Sequence, residues 1–144
     1  MSLILPNLWL GNLDIIHDTE FLTENNITHV ISLLEIEVTT WQMVKRKIKQ
    51  MYIKIYDADD APIGDVFEAT TAFISDALAS GGAVYVHCLM GMSRSPTIVA
   101  AYLIKKHRMA ANEAIDYLQS LRPIVDPNPG FRDALEKWAN TGTV

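Results

Sequence analysis

Val86-His87-Cys88-Leu89-Met90-Gly91-Met92-Ser93-Arg94-Ser95 carries the only cysteine of the chain, with five residues between it and an arginine. Ahead of it, Gly81-Gly82 opens the short apolar run Ala83-Val84-Tyr85-Val86, whose β-branched and aromatic residues predict a buried strand. Behind it, Pro96 to Ile104 is apolar nearly all round and has a proline in its first turn, which predicts a buried helix. The decapeptide is therefore a strand-to-helix junction, the unit from which sheets flanked by helices are built.

The residue types suit an oxyanion. A strand ending at Cys88 delivers its sulfur to the mouth of the loop. The backbone N–H groups of Leu89, Met90, Gly91, Met92 and Ser93, with the positive end of the next helix dipole, converge on one concavity. That field favours the thiolate, a nucleophile without a separate base. Arg94 is forked and always charged, so it holds two equatorial oxygens of a phosphoryl group from ground state to transition state. Gly91 lets backbone approach the ligand, and the Ser95 hydroxyl is placed to assist the sulfur as a leaving group.

With its flanks, His87-Cys88-x5-Arg94-Ser95 resembles the motif of the protein tyrosine phosphatases, and specifically their dual-specificity branch. The likeness includes Leu8-Trp9-Leu10-Gly11, Ile27 to Leu33, Phe67 with Phe73-Ile74, Ala101-Tyr102-Leu103, and Arg122-Pro123 followed by Pro127-Asn128-Pro129-Gly130-Phe131. Met90 and Tyr56-Asp57 are locally similar to the slingshot-type subgroup. The resemblance implies dephosphorylation of phosphotyrosine and phosphoserine or phosphothreonine in proteins, through a phosphocysteine at Cys88 and without metal or cofactor. It also implies a shallow pocket, and a supporting role for His87, which hydrogen-bonds backbone near the cysteine. Relatives sharing the motif act on lipid phosphates or RNA 5′-triphosphates, and others bind phosphosites without hydrolysing them; both remain alternatives.

Such chemistry needs a carboxylic acid to protonate the leaving oxygen and then to activate water. Asp57, Asp59, Asp60 and Asp65 lie between a strand-like Met51–Ile55 and the helix after Asp65. Aligning Phe67 and Phe73 with the family helix places Asp57 at the family's acid position, with Asp60 the alternative. Neighbouring Asp59 and Asp60 favour the protonated form of Asp57 that an acid catalyst requires. Asp65-x-x-Glu68 reads as a capping box, and Asn128 as a helix N-cap or loop brace.

At 144 residues, 49% of them hydrophobic and 20% charged, the chain can build one core, so residues 1–144 are expected to form a single domain. Strand-like segments near 3–10, 28–34, 51–55 and 83–87 alternate with helical ones near 18–25, 65–80, 95–107, 111–121 and 130–140. That order predicts an α/β fold with a parallel or mixed twisted sheet between helices, and the loop at the carboxyl end of a central strand.

A net charge of −5 argues against general nucleic-acid binding and leaves phosphorylated protein as the expected partner of a chain taken as a monomer. No signal peptide, membrane span or lipidation box is apparent, which points to the cytoplasm and leaves the nucleus open. The lone cysteine fits a reducing compartment and offers no second thiol to trap an oxidised Cys88. His17, His29, His87 and His107 lack paired ligand spacing, so no metal is expected. Finally, Trp41, Val44 and Ile48 recur at helical spacing beside Lys45, Arg46, Lys47 and Lys49. Either Thr39–Gln50 is an amphipathic helix whose tryptophan packs on the domain, or its basic face recruits an acidic phosphopeptide.

Overall fold

Strand β5 (Val84–His87) sits at the centre of a five-stranded sheet of order β1-β2-β5-β3-β4 in the computed structural model, which describes residues 1–141. The end of the expected 1–144 domain thus lies outside the described residues. Strands β2 (Leu8–Gly11), β3 (His29–Leu34) and β4 (Lys49–Lys54) run parallel to β5, and only β1 (Ser2–Leu5) is antiparallel. The mixed sheet agrees with the sequence expectation. The single strand expected over 3–10 is instead a hairpin, because Pro6 has no N–H to pair and Asn7 takes a left-handed φ of 66°.

Alternation along the strands divides the core. Ile31, Leu33, Val84 and Val86 face a large layer covered by α3 (Phe67–Ala79), α4 (Arg94–His107), α5 (Ala111–Leu121) and α6 (Pro129–Asn140). Val30 and Tyr85 face a smaller layer with Phe21 and Leu22 of α1 (Thr19–Glu24) and Met43 of α2 (Trp41–Lys45). Helix α4 is buried from Arg94 to Ile104, which explains its lack of a polar face. Its basic last turn, Lys105-Lys106-His107, meets the negative end of its dipole.

Two helical expectations change. Asp65 caps nothing: a 3-10 turn over Ile63–Val66 precedes α3, and Val66 stands at the N-cap without a side-chain bond. The bonds Ile63 N–H to Ala61 O and Asp65 N–H to Pro62 O start the turn earlier than the pattern suggested. Likewise the Thr39–Gln50 helix stops at Lys45. Lys47 turns left-handed (φ 55°), and pairing with β3 claims the chain from Lys49 onward. Met43 fills the core in place of Trp41, which is 70% exposed, so the expected packing of the tryptophan does not occur.

Candidate active site

The loop after β5 has its carbonyls turned outward, one after another. Cys88 O accepts from His87 Nδ1 (3.1 Å), Leu89 O from Leu13 N–H (3.2 Å), and Met90 O and Gly91 O from Nη2 and Nε of Arg122 (both 3.0 Å). Met92 O accepts from Asp126 N–H (2.7 Å), and Ser93 O from the N–H and hydroxyl of Thr97. With the carbonyls occupied on the outside, the amide edges are left for the concave side. Gly91 N–H donates to Cys88 Sγ at 3.3 Å, and Ser95 Oγ lies 3.1 Å from the same sulfur. Only glycine suits position 91. Its φ is +69°, and a Cβ would meet the Gly11 backbone at 2.7 Å.

The start of α4 completes the cradle. Ser93 stands at its N-cap yet makes no side-chain capping bond, because its hydroxyl accepts from Asn128 N–H (3.0 Å). The first-turn N–H groups of α4 therefore stay open to an anion. Arg94, almost wholly buried, donates Nη1 to Ile55 O (3.0 Å) and pairs with Glu35 Oε2 (3.1 Å), anchored on the side of β3 and β4. Glu35 is held below the usual carboxylate range, first by its own backbone N–H and then by the Arg94 guanidinium.

Behind the cysteine lies a buried polar relay. Register places Ser32 of β3 directly across from His87, and Ser32 Oγ lies 2.6 Å from His87 Nε2. Because Nδ1 faces a carbonyl, it carries the proton, so Nε2 accepts from the serine; Gln50 Nε2 in turn donates to Ser32 Oγ (3.0 Å). Burial lowers the His87 pKa to about 4, against smaller opposing help from the Cys88 carbonyl. A neutral ring stacked on Tyr85 results.

Among the carboxylates, Asp57 is tied to the loop. Asn128 Nδ2 donates to Asp57 Oδ1 (2.9 Å), while Asn128 Oδ1 caps α6 by accepting from Phe131 N–H (2.8 Å). One side chain is thus both the N-cap and the loop brace that the sequence suggested as alternatives. Asp59 packs its backbone against Gly130, and Asp60 lines a separate hollow with Lys54, Tyr56 and Pro62. Among the described residues no group of three or more His, Cys, Asp or Glu is placed to hold a metal ion, and no helix is long and apolar enough to cross a membrane.

Glu35, Ser32, Gln50 and Arg122 were not assigned site roles from the sequence. Ser32 was detectable as a lone hydroxyl on a strand with apolar neighbours, and Arg122 stood only as part of a matching flank. Nothing in the pattern around Glu35 or Gln50 marks them.

A parallel strand feeding a cysteine into an amide-lined loop, closed by a buried arginine on the next helix, defines a catalytic domain of the protein tyrosine phosphatase type. Residues 8–141 match the family described as dual specificity phosphatase, catalytic domain, and the chain belongs to that family. The crystal structure of DUSP15 has a TM-score of 0.92 at 35% identity, covering 98% of this chain and 88% of that one. Mouse dual specificity protein phosphatase 15 is 38% identical over 143 residues, 98% of this chain but 59% of its own length. Rat protein phosphatase Slingshot homolog 3 is 34% identical, over 95% of this chain and 21% of its own. The chain spans less than two thirds of either relative.

Proposed function

We propose that this chain hydrolyses phosphate monoesters on tyrosine and on serine or threonine in proteins through a phosphocysteine at Cys88. The observation that carries the reading is the loop from Cys88 to Ser93, with every carbonyl engaged outward and Gly91 N–H on the sulfur. A phosphoryl group in that cradle meets backbone N–H groups and the Arg94 guanidinium, which stabilise its equatorial oxygens. The Cys88 sulfur attacks phosphorus, the P–O bond to the leaving group breaks, and Asp57 gives its proton to the departing oxygen. Asp57 then takes a proton from the water that cleaves the phosphocysteine, and the Ser95 hydroxyl stabilises the released sulfur. His87 acts indirectly, fixing the Cys88 carbonyl while remaining neutral.

Hydrolysis of p-nitrophenyl phosphate in chelator, across mildly acidic to mildly basic pH, tests this. Cys88→Ser and Arg94→Lys are expected to abolish nearly all turnover, and Asp57→Asn to flatten the basic limb of the profile. A native protein that binds vanadate at the loop without turnover would support phosphosite binding alone. A neutral Asp57→Asn would pass the acid role to Asp60.

A further inference from the structure

We propose that the mouth of the cradle selects phosphorylated protein segments whose residues beside the phosphosite are apolar. The inference rests on the phosphatase reading above and specifies its substrate.

Six large apolar side chains, Ile36, Tyr56, Leu89, Met90, Met92 and Ile124, are at least 39% exposed. All are anchored around the phosphate loop. Leu89, Met90 and Met92 belong to it. Ile36 follows Glu35, the ion-pair partner of Arg94, and Tyr56 stands between Ile55, whose carbonyl takes Arg94, and Asp57. Ile124 lies between Arg122, which holds Met90 O and Gly91 O, and Asp126, whose N–H holds Met92 O. Single exposed apolar residues need no explanation, whereas six gathered around one anion cradle form a surface that gains by being covered. The two methionines are adaptable contacts, suited to varied neighbours.

The charged groups around the cradle are paired or turned to the loop: Glu35 with Arg94, Asp126 with Arg132, and Arg122 with the carbonyls of Met90 and Gly91. The cradle fixes the phosphate, so the segment covering the rim is the chain that bears it. What the rim offers to the residues beside the phosphosite is apolar surface, which apolar flanks cover.

Three matched phosphotyrosine peptides, flanked by leucine, serine or glutamate, test the idea with p-nitrophenyl phosphate as the common reference. We expect kcat/KM for the leucine peptide to exceed that for either the serine or the glutamate peptide by about tenfold or more. The leucine-over-serine advantage should persist at high salt. Ile36→Ser combined with Ile124→Ser should shrink that advantage while leaving p-nitrophenyl phosphate hydrolysis and the melting temperature unchanged. Equal or reversed peptide rates beside normal p-nitrophenyl phosphate turnover overturn this inference and leave the phosphatase reading standing, whereas no hydrolysis of any peptide overturns this inference together with the protein substrate of that reading. Faster release from phosphatidylinositol 3-phosphate in phosphatidylcholine vesicles than from the leucine peptide also overturns it. Loss of all turnover, small substrate included, overturns both readings.

Discussion

Asn128→Ser separates catalysis from folding at a residue that serves both. Asn128 caps α6 through Oδ1, touches Ser93 through its backbone N–H, and holds Asp57 through Nδ2. Serine caps a helix as well as asparagine does. Its one short hydroxyl cannot also reach Asp57. What is lost is a single hydrogen bond to an exposed carboxylate, worth about 1 kcal/mol after solvent screening. If that bond sets the fraction of molecules with Asp57 in place, kcat falls about fivefold for a poor leaving group such as phenol. A fluorinated umbelliferyl phosphate, whose leaving group departs without a proton, should barely change. Measuring kcat for both substrates across pH, beside the melting temperature, reads the ratio directly. Equal losses on the two substrates, or none on either, would refute the assignment. Asn128→Ala should add about 1 kcal/mol of destabilisation from the lost cap without altering the ratio further.

Other perturbations reach neighbouring parts of the site. A Cβ on Gly130 would lie 2.6 Å from the Asp59 carbonyl carbon and nearer still to its oxygen, so Gly130→Ala must shift the acid loop or α6. Its expected cost is about 1–3 kcal/mol in chemical denaturation, with a loss of kcat concentrated on poor leaving groups. Arg122→Met removes the donors to Met90 O and Gly91 O. Vanadate inhibition should weaken by roughly fivefold or more, at about 1 kcal/mol or more for the pair of bonds, and an unchanged inhibition constant would show that the loop holds its shape alone. His87 titrates near 4 in the fold and near 6.5 when unfolded, so below about 6.5 the unfolded chain binds the extra proton. Unfolding free energy should therefore decline by up to about 3 kcal/mol as pH falls from about 6.5 to about 4, and His87→Gln should lose that part of the slope in denaturant titrations.

The sequence by itself determined the strand, loop and helix around Cys88, the nearness of the Ser95 hydroxyl to the Cys88 sulfur, and helix α5 from Ala111 to Leu121. These rest on chemistry and periodicity confined to one contiguous run, where spacing along the chain is also spacing in space. Tertiary structure decided the rest. Asp57 meets Asn128 across 71 positions, Ser32 meets His87 across 55, and Arg122 reaches Met90 across 32, separations that only the sheet order and the packing of α6 bring together. The Thr39–Gln50 segment makes the same point in reverse. Its helical spacing was legible, yet strand pairing from Lys49 claimed the backbone and Met43 took the core position, leaving Trp41 outside. Local periodicity ranks the conformations a segment favours, and long-range hydrogen bonding and burial choose among them.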